Sequence, residues 1–431
     1  MFPFRSFPKS LVVPALICGL AGCVAYAETP PERIVSDVVA TTSVRRPAPG
    51  GVSSTPLQVG TVTKDESHAS RGRGATWLIK SQKADGGWGA GTWGTDNPQA
   101  PSDVATTSLV ILALHRDAGG DGRHKKTIMR GINYVAQVIA ESPTGARLAV
   151  PEGTQPQHKL GNLVDTHFAA LMLGEMAGTQ DETTNTTINK ALKNVVQRVQ
   201  RAQQADGSFD SNGWAPVLSS SVAATSLYRA QELGIKVEDE VLARNDNYQR
   251  SKITVGSSGG SAVFDSSAGA GIDLYAAATT LKGNSEASRR MAAPVADRKA
   301  SEDAEEAAYG RISGQGSEQL FAGFGSVGGE EMLSYMMISD TLADEGGAKF
   351  EDWDKKVSSY LVQIQNNDGS WAGHHCITSR TFVTAAAMMS LGAPEAATMR
   401  AEREAKRTKK RKSGKHASTQ GAFGSNSGTV D

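Results

Sequence analysis

The chain has 431 residues, of which 39% are hydrophobic and 21% charged, and its 45 Lys and Arg balance its 45 Asp and Glu. This composition is typical of a soluble globular protein and excludes a bundle of membrane-spanning helices. With only three cysteines, the chain is not a disulfide-rich scaffold.

Residues 1–27 resemble an export signal. Arg5 and Lys9 precede LVVPALICGLAG, an apolar stretch too short to span a bilayer. Two processing sites remain open. LAGC resembles a bacterial lipobox with Cys23 as the lipidated residue, whereas AYA, ending at Ala27, resembles a signal-peptidase site. Both predict an exported bacterial protein, either periplasmic or an outer-membrane-associated lipoprotein.

Four further segments follow the signal. Residues 28–70 are rich in Pro, Ser and Thr and predict a disordered tether. Residues 71–395 form the folded domain, with an irregular insertion at about 284–310. Residues 396–431 predict a basic disordered tail, since nine Lys and Arg face two Glu between Arg400 and Lys415, a local charge of 9 − 2 = +7. Such a tail is either solvated or contacts anionic lipid or polymer; without aromatic residues, no specific nucleic acid is expected.

Three copies of one motif recur in the folded domain: WLIKSQKADGGW (77–88), RVQRAQQADGSF (198–209) and YLVQIQNNDGSW (360–371). Each has an aliphatic residue, a Gln four residues later, then Asp-Gly and an aromatic. Asp bonds the backbone two residues on and Gly ends the helix, so the motif predicts a structural turn rather than catalysis.

Six helices rich in Ala, Ser and Thr are predicted, and amphipathic helices alternate with them. Small residues on almost every face suit helices that pack on both sides. The simplest closed arrangement is six inner and six outer helices. The small-residue segments are 103–114, 162–176, 220–230, 269–281, 330–342 and 379–391.

The repeats resemble the QW motif of the squalene-hopene cyclase and protein-prenyltransferase superfamily, over most of Ala75–Leu391. The resemblance implies an all-α fold, an α/α toroid (α6/α6 barrel) of the terpenoid cyclase/prenyltransferase type. Two departures leave enzyme activity open. The cyclase Asp-x-Asp-Asp motif is absent, and the prenyltransferase Asp-x-Cys pair is not matched, because His374 stands two residues before Cys376.

The resemblance also implies that the starts of the inner helices surround the mouth of a central cavity, where helix N-termini favour anions. Helix capping is the alternative role for the aspartates and serines there, and a core position is the alternative for His167. The candidate catalytic residues are Asp165, His167, His374, His375 and Cys376. The candidate ligand-binding residues are Asp103, Asp273, Glu330, Glu331, Tyr335 and Arg380, and Ser219–Ser221 lie at an equivalent position.

The cluster His374–His375–Cys376 has three open interpretations. It is an inert loop, a metal site in which Cys376 and His374 are joined by His167 around zinc, or a nucleophilic cysteine with a neighbouring His as base. For a cysteine nucleophile, the helix N-terminus near Thr378 would favour the thiolate.

The preferred interpretation is an exported, lipid-anchored protein that binds an apolar or isoprenoid-like ligand, or a protein partner, in the cell envelope. Two enzymes are the alternatives. One is a metal-assisted or cysteine-dependent transferase or hydrolase that uses the His-His-Cys loop. The other is a glycan-active toroid enzyme that uses carboxylates at the mouth.

Overall fold

The protein is mostly helical, which confirms the predicted all-α class. A computed structural model describes residues 62–92, 100–209, 212–255, 262–290, 292–323 and 325–421. The export signal, Cys23 and most of the predicted tether lie outside these residues. Among the described helices, none is long and apolar enough to cross a bilayer.

The described ranges contain fifteen α-helices, one 3-10 turn (Ser267–Gly269) and one short antiparallel hairpin in which Ile253 pairs with Phe264. The helices are α1 (Lys64–Lys80), α2 (Val104–Ala118), α3 (Lys125–Glu141), α4 (Gln155–Leu160), α5 (Val164–Met176), α6 (Glu182–Ala202), α7 (Pro216–Glu232), α8 (Asp239–Ser251), α9 (Asp273–Arg289), α10 (Val295–Ser313), α11 (Ser317–Ala322), α12 (Gly329–Glu345), α13 (Gly347–Gln363), α14 (Arg380–Leu391) and α15 (Ala393–Gly421). The hairpin strands are β1 (Ile253–Val255) and β2 (Ala262–Phe264).

The six small-residue helices are α2, α5, α7, α9, α12 and α14, and they pack in a cyclic order. Each contacts the next, and α14 contacts α2. A second set, α1, α3, α6, α8, α10 and α13, flanks them. Most of these outer helices touch two neighbouring members of the ring, as α6 touches α5 and α7.

Residue size decides which helix lies in the ring. Every residue of α2 is buried, and its alanines, serines and threonines allow neighbours to approach on several sides. Helix α3, in contrast, buries one stripe at helical spacing that faces the ring. The residues of that stripe are Ile128, Gly131, Ile132, Val135 and Ile139.

The three repeats form the same turn after an outer helix, as predicted. The carboxylates of Asp85, Asp206 and Asp368 accept from the backbone N–H two residues later, at 2.9 to 3.1 Å. The next glycine has φ between +90° and +96°, the left-handed region that glycine adopts without steric penalty. The tryptophans of the first and third repeats are buried and donate from Nε1 to the carbonyls of Leu78 and Leu361. These contacts confirm a structural role.

A glutamine–arginine contact, which the sequence did not predict, joins consecutive outer helices at each repeat. The glutamine Nε2 donates to a carbonyl of its own turn and to one of the next outer helix. An arginine of that helix donates to the glutamine Oε1. The pairs are Gln82–Arg130 (α1 to α3), Gln203–Arg244 (α6 to α8) and Gln365–Arg73 (α13 to α1). The third pair joins the last outer helix to the first.

The predicted tether is wrong in its last residues, because α1 begins at Lys64. Thr63 Oγ1 accepts from the backbone N–H of Glu66, and the Glu66 carboxylate accepts from the N–H of Thr63, at 3.2 and 2.8 Å. This reciprocal pair is a capping box, which satisfies two otherwise unpaired donors. The T-K-D-E sequence carries that signal.

The segment 284–310, predicted as irregular, is also largely helical. Helix α9 continues to Arg289, and α10 begins at Val295 and packs along α9. Its buried residues Ser301, Ala304, Ala308 and Ile312 recur at helical spacing. Small side chains gave this stripe a weak hydrophobic signal.

The basic tail, predicted as disordered, is helical to Gly421. Arg400 lies 2.7 Å from Asp344 on α12, and Arg403 lies 3.6 Å from Glu175 on α5. The run consists of strong helix formers, and these carboxylates hold its first turns against the ring. Residues 422–431 lie outside the described part.

Candidate functional site

Short helix α4 lies among the starts of the ring helices. Its buried residues are Gln155, Pro156, Gln157, Lys159 and Leu160. Gln155 Oε1 accepts from the backbone N–H groups of Thr378 and Ser379 before α14, at 2.8 and 3.1 Å. Gln157 donates to Asp165 on α5 at 2.9 Å. Helix α4 therefore occupies the end of the ring where the sequence predicted an open mouth.

Asp103 and Asp165 are brought together at the start of α2. Asp103 accepts from the N–H groups of Thr106 and Ala90, at 2.7 and 2.8 Å, and Asp165 accepts from that of Ala105 at 2.9 Å. Both carboxyls are buried. Burial, and then the charge of Asp165, raise the pKa of Asp103 to about 7. Their contacts cap a helix, which was the structural alternative for Asp103.

His167 and the serines occupy core positions. The imidazole of His167 is fully buried and hydrogen-bonded through Nδ1 to Ser219 Oγ at 2.7 Å, and burial lowers its pKa to about 3. Helix α7 begins at Pro216, so Ser219–Ser221 lie beyond its first three residues rather than at its start. Ser220 accepts from the N–H of Phe209, the aromatic residue of the second repeat.

The His-His-Cys loop is docked against the start of α12. The backbone N–H of His374 donates to the Val327 carbonyl at 2.7 Å, while its side chain is exposed. His375 Nε2 donates to the Ser326 carbonyl at 2.7 Å and lies 3.4 Å from Glu331. Cys376 has φ +57°, a left-handed conformation that is strained for a residue with a side chain.

Cys376 lies between Lys159 of α4 and Glu330 of α12. Burial, followed by the charge of Glu330, raises the pKa of the thiol to about 11, although Lys159 opposes this. The surroundings of Cys376 therefore disfavour the predicted activated thiolate on balance. Glu330 Oε2 accepts from the N–H of Ile377 at 3.3 Å, whereas its buried Oε1 has no hydrogen-bond partner among the described residues. Burial, and then Glu331, raise the pKa of Glu330 to about 7.

Glu331 and Tyr335 have packing roles. Glu331 accepts from the N–H of Gly328 at 2.9 Å and from the Tyr275 hydroxyl. Tyr335 donates to the Phe321 carbonyl at 2.7 Å and stacks on the Phe321 ring at a centroid distance of 4.7 Å. Trp353 joins the same aromatic cluster.

Asp273 and Arg380 do not converge with this group. Asp273 is exposed at the start of α9 and lies 3.6 Å from Arg311. Arg380, at the start of α14, contacts Asp368 of the third repeat and lies over the Trp77 ring at 5.1 Å.

No three His, Cys, Asp or Glu side chains of the described residues are placed to hold a metal ion. The zinc set predicted from Cys376, His374 and His167 is not assembled. His167 is sealed in the core, whereas His374 points to solvent.

A cavity of about 560 Å³ lies toward the other ends of the ring helices. Its large apolar lining side chains are those of Leu112, Leu171, Val222, Met336 and Met337. Charged residues from the last turns of α2, α5, α7, α9 and α12 form its mouth, together with three residues of α15. This mouth lies at the opposite end of the ring helices from the mouth that the sequence predicted, where buried helix α4 is packed.

The charged residues at this mouth were missed, although a sequence signal existed. Four of the small-residue helices carry a charge in or near their last turn, at Arg116, Glu175, Arg229 and Asp340. Charges recurring at one level of a buried bundle indicate a shared polar layer. Here the layer includes a bidentate pair in which Arg116 donates to both oxygens of Asp340, at 2.7 and 2.8 Å.

In comparisons with known proteins, no family model matches the sequence, and no curated protein matches it significantly.

Proposed function

We propose that the chain is an α/α toroid of the terpenoid cyclase/prenyltransferase type. Three observations support this assignment. The six small-residue helices pack in cyclic order, the flanking helices alternate with them in the chain, and the repeats join consecutive outer helices. The QW-like spacing of the repeats agrees with the same architecture.

Its function is to bind a small molecule with an apolar body inside the ring, and the cavity is the observation that carries this proposal. About 560 Å³ lies within the range of small-molecule sites. The five apolar side chains form a lining that water solvates poorly, so burying a hydrocarbon there is favourable. A protein partner is less well suited, because a recess of about 560 Å³ has the size of a small-molecule site.

The cell envelope is the proposed location, as an exported and lipid-anchored protein. The leader and the lipobox cysteine support this part of the proposal, and both come from the sequence. An apolar or isoprenoid-like ligand would be available to the ring at a membrane surface.

Filling the cavity tests the proposed function. Val222 lines the cavity and is 2% exposed. Val222→Phe places a phenyl group in the recess and should abolish binding of the neutral dye Nile red, which is measured by the fluorescence of the dye. The matched control is Val295→Phe, because Val295 is 73% exposed and lies outside the cavity. Equal dye binding by both folded variants and the wild type would refute a site in the ring.

An enzyme is the second candidate, and Glu330 favours it. A buried carboxyl with an unpartnered oxygen and a pKa near 7 is suited to proton transfer. Glycan hydrolysis is less well supported, because the carboxyls of Asp103, Asp165 and Glu330 are buried beyond reach of a sugar chain. A Glu330→Gln variant that keeps all activity found with candidate substrates would exclude this role.

A further inference from the structure

The charges at the cavity mouth are matched in pairs. Seven Lys and Arg residues line the cavity, and each lies within 4 Å of a carboxylate. The pairs are Arg116–Asp340, Arg229–Glu175, Lys282–Glu286, Arg289–Asp344, Arg290–Asp246, Arg400–Asp344 and Arg407–Glu404.

The lining carboxylates are matched in the same way. Six Asp and Glu residues line the cavity, and Glu232, the one absent from the pairs above, lies 2.5 Å from Arg229. Glu175 also receives a second cation, Arg403, at 3.6 Å. The mouth is therefore polar and close to neutral, with seven positive and six negative lining groups.

Several of these ion pairs are buried, so water cannot easily take the place of either partner. The side chains of Arg116 and Asp340 are 6% and 11% exposed. Burial alone would raise the pKa of Asp340, but Arg116 and Arg400 outweigh it and hold the pKa below its usual value. Removing one partner of a buried pair leaves the other charge uncompensated in a poorly solvated site.

A charged ligand would have to take its counter-ion from one of these pairs. An uncharged head group would not, because hydroxyl and amide groups at the mouth can exchange hydrogen bonds with it. The lining residues with neutral polar side chains are Thr225, Tyr228, Gln231, Ser285 and Thr341.

We propose that the ring cavity selects apolar molecules whose head group is uncharged and hydroxyl-bearing, an inference that rests on the proposed function. The cavity rejects anionic and cationic head groups on the same tail. This specificity follows from the pairing of the mouth charges and not from the apolar lining, which would accept all three.

Displacement of Nile red by three ligands with one tail tests this inference. The probes are dodecan-1-ol, dodecyl phosphate and dodecylamine. We expect the alcohol to displace the dye at a concentration about tenfold or more below the two charged probes. Dodecyl phosphate or dodecylamine binding as tightly as the alcohol would overturn the head-group inference while leaving the ring site intact. Failure of the dye itself to bind would instead refute the proposed function.

Removing the carboxylate that Arg400 and Arg289 share provides the complementary test, since each then keeps only a carboxylate at 3.9 Å, Asp340 and Glu345 respectively. Asp344 contacts Arg400 at 2.7 Å and Arg289 at 3.8 Å. Asp344→Asn should therefore raise the affinity for dodecyl phosphate by about tenfold. The matched control is Asp297→Asn, because Asp297 pairs with Arg250 at 3.8 Å away from the cavity, and it should change neither phosphate nor alcohol binding. An unchanged phosphate affinity in a folded Asp344→Asn protein would contradict the proposed mechanism.

Discussion

The contact that closes the outer set of helices can be broken with one substitution, Gln365→Ala. Gln365 donates from Nε2 to the carbonyls of Ser70 and Gly369, both at 2.8 Å, and accepts from Arg73 and from the Ser70 hydroxyl. It connects α13 to α1 across 295 residues of sequence. Alanine removes all four bonds and leaves two carbonyls without their donor.

The expected loss follows from those bonds. A typical hydrogen bond contributes about 1 kcal/mol net, and more when its partner is left buried and unsatisfied. Because Gln365 is half-buried, water compensates in part, and we expect the free energy of unfolding to fall by about 2 to 3 kcal/mol. Urea unfolding followed by circular dichroism measures this change as a lower midpoint with an unchanged slope.

A neighbouring glutamine gives the control. Gln363 is exposed at the end of α13, so Gln363→Ala should change the free energy of unfolding by less than about 0.5 kcal/mol. Gln82→Ala, which removes the equivalent contacts between α1 and α3, should resemble Gln365→Ala. A Gln365→Ala protein as stable as Gln363→Ala would refute the role assigned to the repeat glutamine.

Three other predictions concern buried charges. Asp340→Asn should lower the free energy of unfolding in urea by about 3 kcal/mol, because Arg116 loses its counter-ion. The raised pKa of Asp103 means that the folded state binds the carboxyl proton more tightly than the unfolded state does. The contribution of Asp103 to the free energy of unfolding therefore falls as pH rises from 3.8 to about 7. Urea unfolding at several pH values measures this pH dependence, which should be absent in Asp103→Asn. Iodoacetamide should modify Cys376 at pH 8 roughly a hundredfold more slowly in the native protein than in urea, because the pKa of the thiol is raised to about 11. Glu330→Gln should increase the rate in the native protein, since the charge of Glu330 contributes to that raised pKa.

Local signals predicted the repeating part of the fold well. The Asp-Gly turns depend on residues within a few positions, so Asp85 and Gly86 determine their own geometry wherever the turn lies. The ring helices were also recognisable, because alanine and serine on several faces require close neighbours. The helix boundaries were predicted less accurately, because α7 begins at Pro216 whereas the predicted segment begins at residue 220.

The position of the cavity could not be predicted, because it depends on distant contacts. Gln155 places α4 by bonding the chain 223 residues later, and Arg400 fixes α15 through Asp344. Neither interaction has a periodic sequence pattern. Reactive residue types gave a misleading guide to the site. His167 is buried in the core and Cys376 is half-buried beside Glu330, whereas ordinary arginines and carboxylates surround the cavity.

The cyclic packing has a consequence for how the protein comes apart. A stack of repeats with two free ends needs specialised caps for its outermost units and can fray from either end. Here α14 meets α2 and α13 meets α1, so the first and last repeats shield each other. Unfolding from either end must first break this junction, which removes the α14–α2 and α13–α1 contacts together. The first and last repeats are therefore not weak ends of the fold in the described part of the chain.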